Sequence, residues 1–292
     1  MNKLKIDLIL VSVPIFWALT FPFIHISVQS ISPETFVSWR FSLAAFFLLP
    51  FIFTRLHKLN LYVLSWGIVL GLLNGGTFIF QTIGLETVSS ARAAFITGSS
   101  VILVPILSLL MKLGSPKKND FILALLCLLG LYILTGANFS GLSIGDFWVA
   151  LCALTTAFSI ILIQKVTPNI DDILLFTFLQ ILFTVPCCLI TQPNILDANL
   201  FNNYFVLCSI VFCALFATTI ALLIQAKFQK YTSEFRAALI FTTEPVFATV
   251  FSYIFFNEAI NIHIVAGGIF ILGSILLGEY FNSARRMVQV MH

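Results

Sequence analysis

Charge is what this sequence has least of. Only 9% of its 292 residues are Asp, Glu, Lys or Arg, against 60% hydrophobic. A soluble chain carries about 25% charged residues, so a soluble globular domain of this length is excluded. No Walker-type Gly-rich loop is present, so no ATPase of that kind is built in. There is no H-E-x-x-H element, and Asp171-Asp172 is the only paired acid. A membrane-embedded enzyme would therefore lack its usual acid, base or metal groups. The net charge of +3 does not suggest nucleic-acid binding. Cys127, Cys152, Cys187, Cys188, Cys208 and Cys213 lie inside apolar runs without His at metal spacing. They read as small apolar filler, and no metal site is expected. No stretch is long and polar enough to form a receptor or scaffold domain.

Long apolar runs are what the chain has instead. Residues 8–33, 59–85, 121–145, 173–196 and 198–226 contain no Asp, Glu, Lys or Arg. Each meets the ~20 residues a helix needs to cross ~30 Å of hydrocarbon. The ~10-residue alternating segments of an outer-membrane barrel are missing. Lys3 and Lys5 precede the first run, as in a signal peptide, but Phe21-Pro22-Phe23-Ile24-His25 stands where a small-residue cleavage site would be. The first run is expected to stay as a helix. Charge clusters and Pro/Asn/Gly/Ser turns predict ten helices, at about 7–29, 33–54, 61–84, 90–112, 120–137, 144–165, 172–191, 203–226, 234–256 and 260–281. All 15 Lys and Arg except Arg40 and Arg92 then fall on one side. The positive-inside rule makes that side cytoplasmic, with both termini inside.

The chain also repeats itself. Ser89-Ser90-Ala91-Arg92-Ala93-Ala94-Phe95-Ile96 returns as Ser233-Glu234-Phe235-Arg236-Ala237-Ala238-Leu239-Ile240, an offset of 144 (236 − 92) that also pairs Gln81 with Gln225. Earlier helices align at 139 (146 − 7), pairing Asp7 with Asp146 and Ala18 with Ala157. Two halves of five helices must insert in opposite senses. The expected fold is an all-α integral membrane protein of ten transmembrane helices, built as two inverted five-helix repeats over 7–137 and 144–281 with a cytoplasmic tail at 282–292.

Thr232-Ser233-Glu234-Phe235-Arg236-Ala237-Ala238-Leu239-Ile240, followed by Glu244-Pro245-Val246-Phe247-Ala248 and Phe256-Asn257-Glu258, resembles the EamA-type branch of the drug/metabolite transporter superfamily. Trp17-Ala18-Leu19-Thr20-Phe21-Pro22 and Trp39-Arg40-Phe41 fit the same pattern. The resemblance covers essentially the whole chain. It implies a carrier working by alternating access, with helices 1–4 and 6–9 around a central cavity, helices 5 and 10 outside it, no organic cofactor and no ATP hydrolysis. It is nearly silent about substrate.

Ionisable residues at membrane depth cost roughly 2.5–3.5 kcal/mol on insertion scales, so they usually face a cavity or a partner. Glu244 lies about ten residues into its helix, ~15 Å deep, and Pro245 frees a carbonyl one turn back. Glu244 reads either as a proton or cation site or as a structural group locking a kink. Arg40, ~10 Å from the outer face, would hold a substrate carboxylate or phosphate, or snorkel outward toward Glu34. Arg92 at a helix N-terminus has Glu86 as its nearest acid, and Arg236 has Glu234. The four are candidates for loop clamps or for mirrored gates. Trp17 at mid-depth, with Phe21, suggests an apolar cavity wall. Asn74, Gln81, Ser100 and Gln180 are candidate polar contacts or helix–helix hydrogen bonds. His25 is the only His at depth, and Gly71-x-x-x-Gly75 should let helix 3 approach a neighbour closely.

The function expected from these features is secondary active transport of small polar metabolites in a bacterial inner membrane. Amino acids or related amines, exported or exchanged, are the first reading. Uptake of a nucleotide-like metabolite such as S-adenosylmethionine is the second, and a membrane enzyme or scramblase a distant third. The expected partners are a small-molecule substrate and the lipid bilayer, with proton coupling at Glu244, in a monomer or homodimer.

Overall fold

The computed structural model describes residues 3–27, 29–85, 87–88, 90–137, 141–191, 203–257 and 259–290. Within these it has ten helices long and apolar enough to cross a membrane: α1 (Leu4–Ile24), α2 (Glu34–Lys58), α3 (Leu61–Leu85), α4 (Arg92–Leu110), α5 (Lys118–Thr135), α6 (Ile144–Asn169), α7 (Ile173–Ile190), α8 (Tyr204–Tyr231), α9 (Glu234–Phe255) and α10 (Ile262–Phe281). The number and order match the sequence expectation. The differences are local. α2 continues past residue 54 as a 3-10 turn, Phe53–Lys58. α8 extends beyond residue 226 because it contains a π-helical segment, Cys213–Ile220, followed by another helical stretch and a 3-10 turn.

The helices sort into two trios, each drawing on both halves of the chain. α3, α4 and α6 pack together, while α8 and α9 both pack on α1. α7 lies on α3 and α2, while α5 and α10 form an outer pair. Small residues permit the closest crossings. A Cβ on Gly71 would come within 2.6 Å of Phe183 Cβ, so the Gly71-x-x-x-Gly75 face meets α7, as its spacing predicts. A Cβ on Gly267 of α10 would sit 2.5 Å from the Gly130 carbonyl of α5.

α4 and α9 are both broken, and at equivalent positions. α4 consists of Ser90–Gly98 and Ser100–Leu110, while α9 consists of Glu234–Phe241 and Glu244–Phe256. The residues at the breaks, Ser99 and Thr243, are 144 apart (243 − 99). Each folds its hydroxyl back onto the carbonyl three residues earlier, Ser99 Oγ on Ile96 and Thr243 Oγ1 on Ile240, both at 2.6 Å. Such back-bonding competes with the helical ladder and bends it. In α9, Pro245 adds a missing N–H. The sequence reading has the kink in α9 and no interruption in α4.

The two breaks divide tight packing from loose. From Phe235 to Thr243, every residue except Arg236 is buried, whereas no described side chain of Glu244–Phe255 is. In α4 the order reverses: Ser100, Val101, Val104, Pro105 and Ser108 are buried, but of the described side chains from Arg92 to Ser99 only Ala93 is. The tight halves of α4 and α9 pack on each other, and the loose halves share no comparable contact. The bundle is therefore closed toward the face bearing Arg236 and open toward the face bearing Arg92. Three hydrogen bonds join the trios at the closed face. Ser108 Oγ donates to Glu234 Oε1 at 2.7 Å, Gln164 Nε2 to the Thr232 carbonyl at 2.6 Å, and Gln229 Nε2 to the Ile160 carbonyl at 2.6 Å.

At the same face Asp172 ties the end of α2 to the start of α7. Its Oδ2 accepts from Arg55 at 2.7 Å and Lys58 at 3.1 Å, and its Oδ1 accepts from the Leu175 N–H at 3.1 Å. Burial disfavours the charge, but the Leu175 N–H and the two cations outweigh it and hold the carboxyl below its ordinary range. A carboxyl lowered in the folded state contributes stability that is complete above its unfolded value of about 3.9 and is lost as pH falls through the lower folded value. Acidification from about pH 6 to about pH 3 should thus lower the thermal midpoint more in the wild type than in Asp172→Asn. Parallel midpoint curves for the two proteins in detergent would show that the tether contributes nothing.

Candidate functional site

The centre of the bundle is organised by the π-helical stretch of α8. Its i→i+5 bonding shifts the register of the backbone groups, a distortion frequent at functional sites. Thr218 Oγ1 donates to the Cys213 carbonyl at 3.1 Å and accepts from Arg40 Nε at 2.7 Å. The Ala217 carbonyl accepts twice, from Arg40 Nη2 at 3.2 Å and from Trp17 Nε1 at 3.1 Å. One segment of α8 therefore positions the key side chains of α1 and α2.

Arg40 is 5% exposed, so it does not snorkel. Its guanidinium has five N–H donors, and the two bonds to α8 leave donors over. The rings of Phe78 and Phe41 lie 5.6 Å and 5.8 Å from its Cζ, a cation–π environment. Glu244 starts the second half of α9, where the helix dipole favours a carboxylate. It is half-buried and makes no hydrogen bond or ion pair with any described residue. Arg40 and Glu244 nevertheless act on each other electrostatically. Glu244 also acts on the buried Cys152 of α6. Below the pair, on the closed side, the Trp17 ring packs against Phe241 at 5.5 Å.

The other candidates fall into place around this pair with different success. Asn74 is one turn before Phe78 on α3, half-buried, with its Nδ2 enclosed and lacking a hydrogen bond. Gln81 is half-buried two turns further toward the open face. Ser100 is buried at the start of the second half of α4, the position equivalent to Glu244. Gln180 is only 1% exposed, and its Nε2 is enclosed and lacks a hydrogen bond. Phe21 and His25 have side chains outside the described residues, as does Glu86 entirely.

Arg92 and Arg236 form mirrored clasps that the local acid assignments do not describe. Arg236 donates to Asp7 Oδ2 through Nε at 2.9 Å and Nη2 at 2.6 Å, and Nη2 also meets Glu279 at 2.6 Å. Glu234 bonds Ser108 instead. Arg92 Nη2 donates to Asp146 Oδ2 at 2.6 Å and to the Gly141 carbonyl at 2.7 Å. Asp7 and Asp146 are equivalents in the repeat, as are the two arginines. The sequence offset shows both pairs but not that they bind each other. The arginine–aspartate bond of each clasp lies within one trio, α9 to α1 or α4 to α6.

Missed altogether by sequence reasoning were Ala217, Thr218 and Phe241. A Thr218-Thr219 pair inside an apolar run was the available signal for Thr218. A carbonyl at Ala217 leaves no trace in residue type.

Residues 4–136 and 143–278 each match the EamA-like transporter family. The chain belongs to that family. The two matches coincide with the five-helix halves, α1–α5 and α6–α10, so this is a two-repeat EamA-like membrane transporter. It is similar to an uncharacterized transporter of Archaeoglobus fulgidus, 32% identical over 254 residues, which cover 86% of this chain and 78% of that protein. A solved crystal structure superposes with a TM-score of 0.77 at 17% identity, covering 97% of this chain and 98% of the other. At that identity the likeness supports the fold alone.

Proposed function

We propose that this EamA-like transporter carries amino acids or related amines by alternating access in a bacterial inner membrane, with the Arg236 face toward the cytoplasm. The single observation that carries the reading is the pairing of Arg40 and Glu244. A positioned cation with free donors and a carboxylate without a hydrogen-bond partner stand on different helices, near enough for each charge to act on the other. A zwitterion answers both: its carboxylate takes the guanidinium fork, and its ammonium takes Glu244. The half-buried Asn74 and Gln81 supply neutral contacts on the way in. A nucleotide-like substrate is less well served, because Trp17 has its N–H on Ala217 and its ring on Phe241. Glu244 has the second task of taking a proton when no ammonium is bound.

Liposomes holding the purified protein, given a panel of labelled amino acids under an imposed proton gradient, test this directly. Wild-type protein should accumulate at least one of them. Glu244→Gln should still equilibrate that compound but not concentrate it. Accumulation by Glu244→Gln that follows the gradient would remove the coupling role, and no flux for any compound would remove the substrate class. Poor monodispersity of the variant in detergent would make Glu244 a structural group that holds the break in α9.

A further inference from the structure

In an inverted repeat, each residue sealing one face has an equivalent that must serve when the other face closes. At the closed Arg236 face three hydrogen bonds join the trios, and the Trp17–Phe241 pair of one trio packs in a core cluster with Val101, Val104, Ala157 and Ile160 of the other. Their equivalents toward the Arg92 face are much poorer. Trp17 corresponds to Thr156 and Phe241 to Thr97, by the offsets 139 and 144. Gln229 corresponds to Leu85, which has no donor, and Glu234 to Ser90, which has no charge, while Gln164 keeps a polar equivalent in His25 (164 − 139). Thr97 and Thr156 are half-buried, and both border Cys152, with Thr97 Oγ1 3.8 Å from its Sγ. They already mark the place where the second seal would form.

We propose that the carrier closes its Arg92 face only around a substrate whose apolar side group fills the place that Trp17 and Phe241 fill at the other face, and that it therefore works as an exchanger. This rests on the alternating-access reading above. Two threonines where the other seal has two aromatic rings leave a void, and a void loses the contacts of every atom that lines it. Fewer polar latches compensate for that loss. The empty protein accordingly stays open at the Arg92 face. A ligand shifts such an equilibrium only by its differential affinity for the two states. A zwitterion with an aromatic or branched aliphatic group contacts Arg40 and Glu244 in both states and adds ring or methyl contacts to Thr97 and Thr156 only when the face shuts. Glycine has the charged ends and lacks the plug. Return of the empty carrier becomes the slow step, so loaded-for-loaded exchange outruns net movement.

The test pairs a distance measurement that needs no substrate with a flux measurement that does. Spin labels at Leu85→Cys and Tyr253→Cys, both exposed ends of opposite trios, report the Arg92 face in a background without native cysteines. Empty wild-type protein should give one long distance, and phenylalanine should add a shorter one. Thr97→Phe with Thr156→Trp should give the shorter distance with no ligand. A short-distance population in empty wild-type protein equal to that of the variant would overturn the proposal, as would a monodisperse variant that stays long.

If that variant does not fold, Phe241→Thr decides. Labels at Met111→Cys and Tyr231→Cys should then show the Arg236 face opening without ligand, and an unchanged single distance would overturn the inference. In liposomes, labelled phenylalanine should enter at least about tenfold faster into vesicles preloaded with phenylalanine than into empty ones. The Phe/Trp variant should narrow that ratio, and equal rates in the wild type would sink the exchanger. Absence of phenylalanine flux, with the empty Phe/Trp variant still closing, would reject the amino-acid reading and leave the seal supported.

Discussion

Arg40→Lys should fold and insert, yet lose at least about tenfold in apparent affinity for an amino acid, a difference of ~1.4 kcal/mol. The same variant should move the matching decarboxylated amine as well as the wild type does. The native guanidinium spends Nε on Thr218 and Nη2 on Ala217 and keeps further donors in a fixed fork. A carboxylate is met by two parallel N–H groups whose direction α8 has already set. A lysine ammonium is a compact point charge on a flexible stem. It can reach Ala217 or a substrate carboxylate, but it cannot hold both at the fork's angles. Hydrogen bonds to charged groups contribute ~1.5–3 kcal/mol, so losing one accounts for the expected loss. The amine is the control: it lacks the group that Arg40 reads and depends on Glu244 instead. Concentration-dependent flux in liposomes measures both compounds. Equal weakening of both would mean that Arg40 serves to hold α2 on α8, and a matching drop in thermal midpoint would accompany it.

How far this site was legible in the sequence differs by element. The ten spans, the repeat and the one-sided basic residues follow from composition alone, because the bilayer imposes length and hydropathy on each helix separately. Arg40 and Glu244 were legible for the same reason: a charge in an apolar run is conspicuous. The break in α9 was legible through Pro245, whereas its twin at Ser99 was not, since a serine hydroxyl turning onto Ile96 leaves no signature beyond an ordinary serine. The π segment was hidden because Cys213–Ile220 has the same apolar composition whether bonds run to the fourth or the fifth residue. The clasps needed partners 229 and 54 residues apart, a distance that local reading replaces with the nearest acid. What the sequence did contain was the symmetry, two equivalent acids and two equivalent arginines, without the rule for joining them.

That joining decides between a fastener and a gate, and Arg236→Gln separates the two. One face of the bundle is closed and the other open, yet both clasps are formed. A contact present in both situations does not report which face is shut. The arginine–aspartate bond of each clasp, moreover, lies inside a trio, while the hydrogen bonds of the seal run between trios through Ser108, Gln164 and Gln229. Arg236→Gln should therefore destabilise the protein by roughly 3 kcal/mol, the range for removing one partner of a buried pair, because Asp7 at 8% exposure loses its cation and Glu279 loses the same one. Arg92→Gln should cost less: Asp146 keeps the Ser143 N–H at 2.7 Å and the Ser143 hydroxyl at 3.3 Å. Neutralising both partners, Asp7→Asn with Arg236→Gln, should recover most of the loss, since no uncompensated charge is left buried. Thermal unfolding in detergent gives all three values. A gate would behave differently, with near-normal stability and lost transport. A short thiol cross-linker between Asp7→Cys and Arg236→Cys gives the complementary answer. Transport that continues with the clasp covalently shut identifies a fastener, and transport that stops only when it is shut identifies a gate.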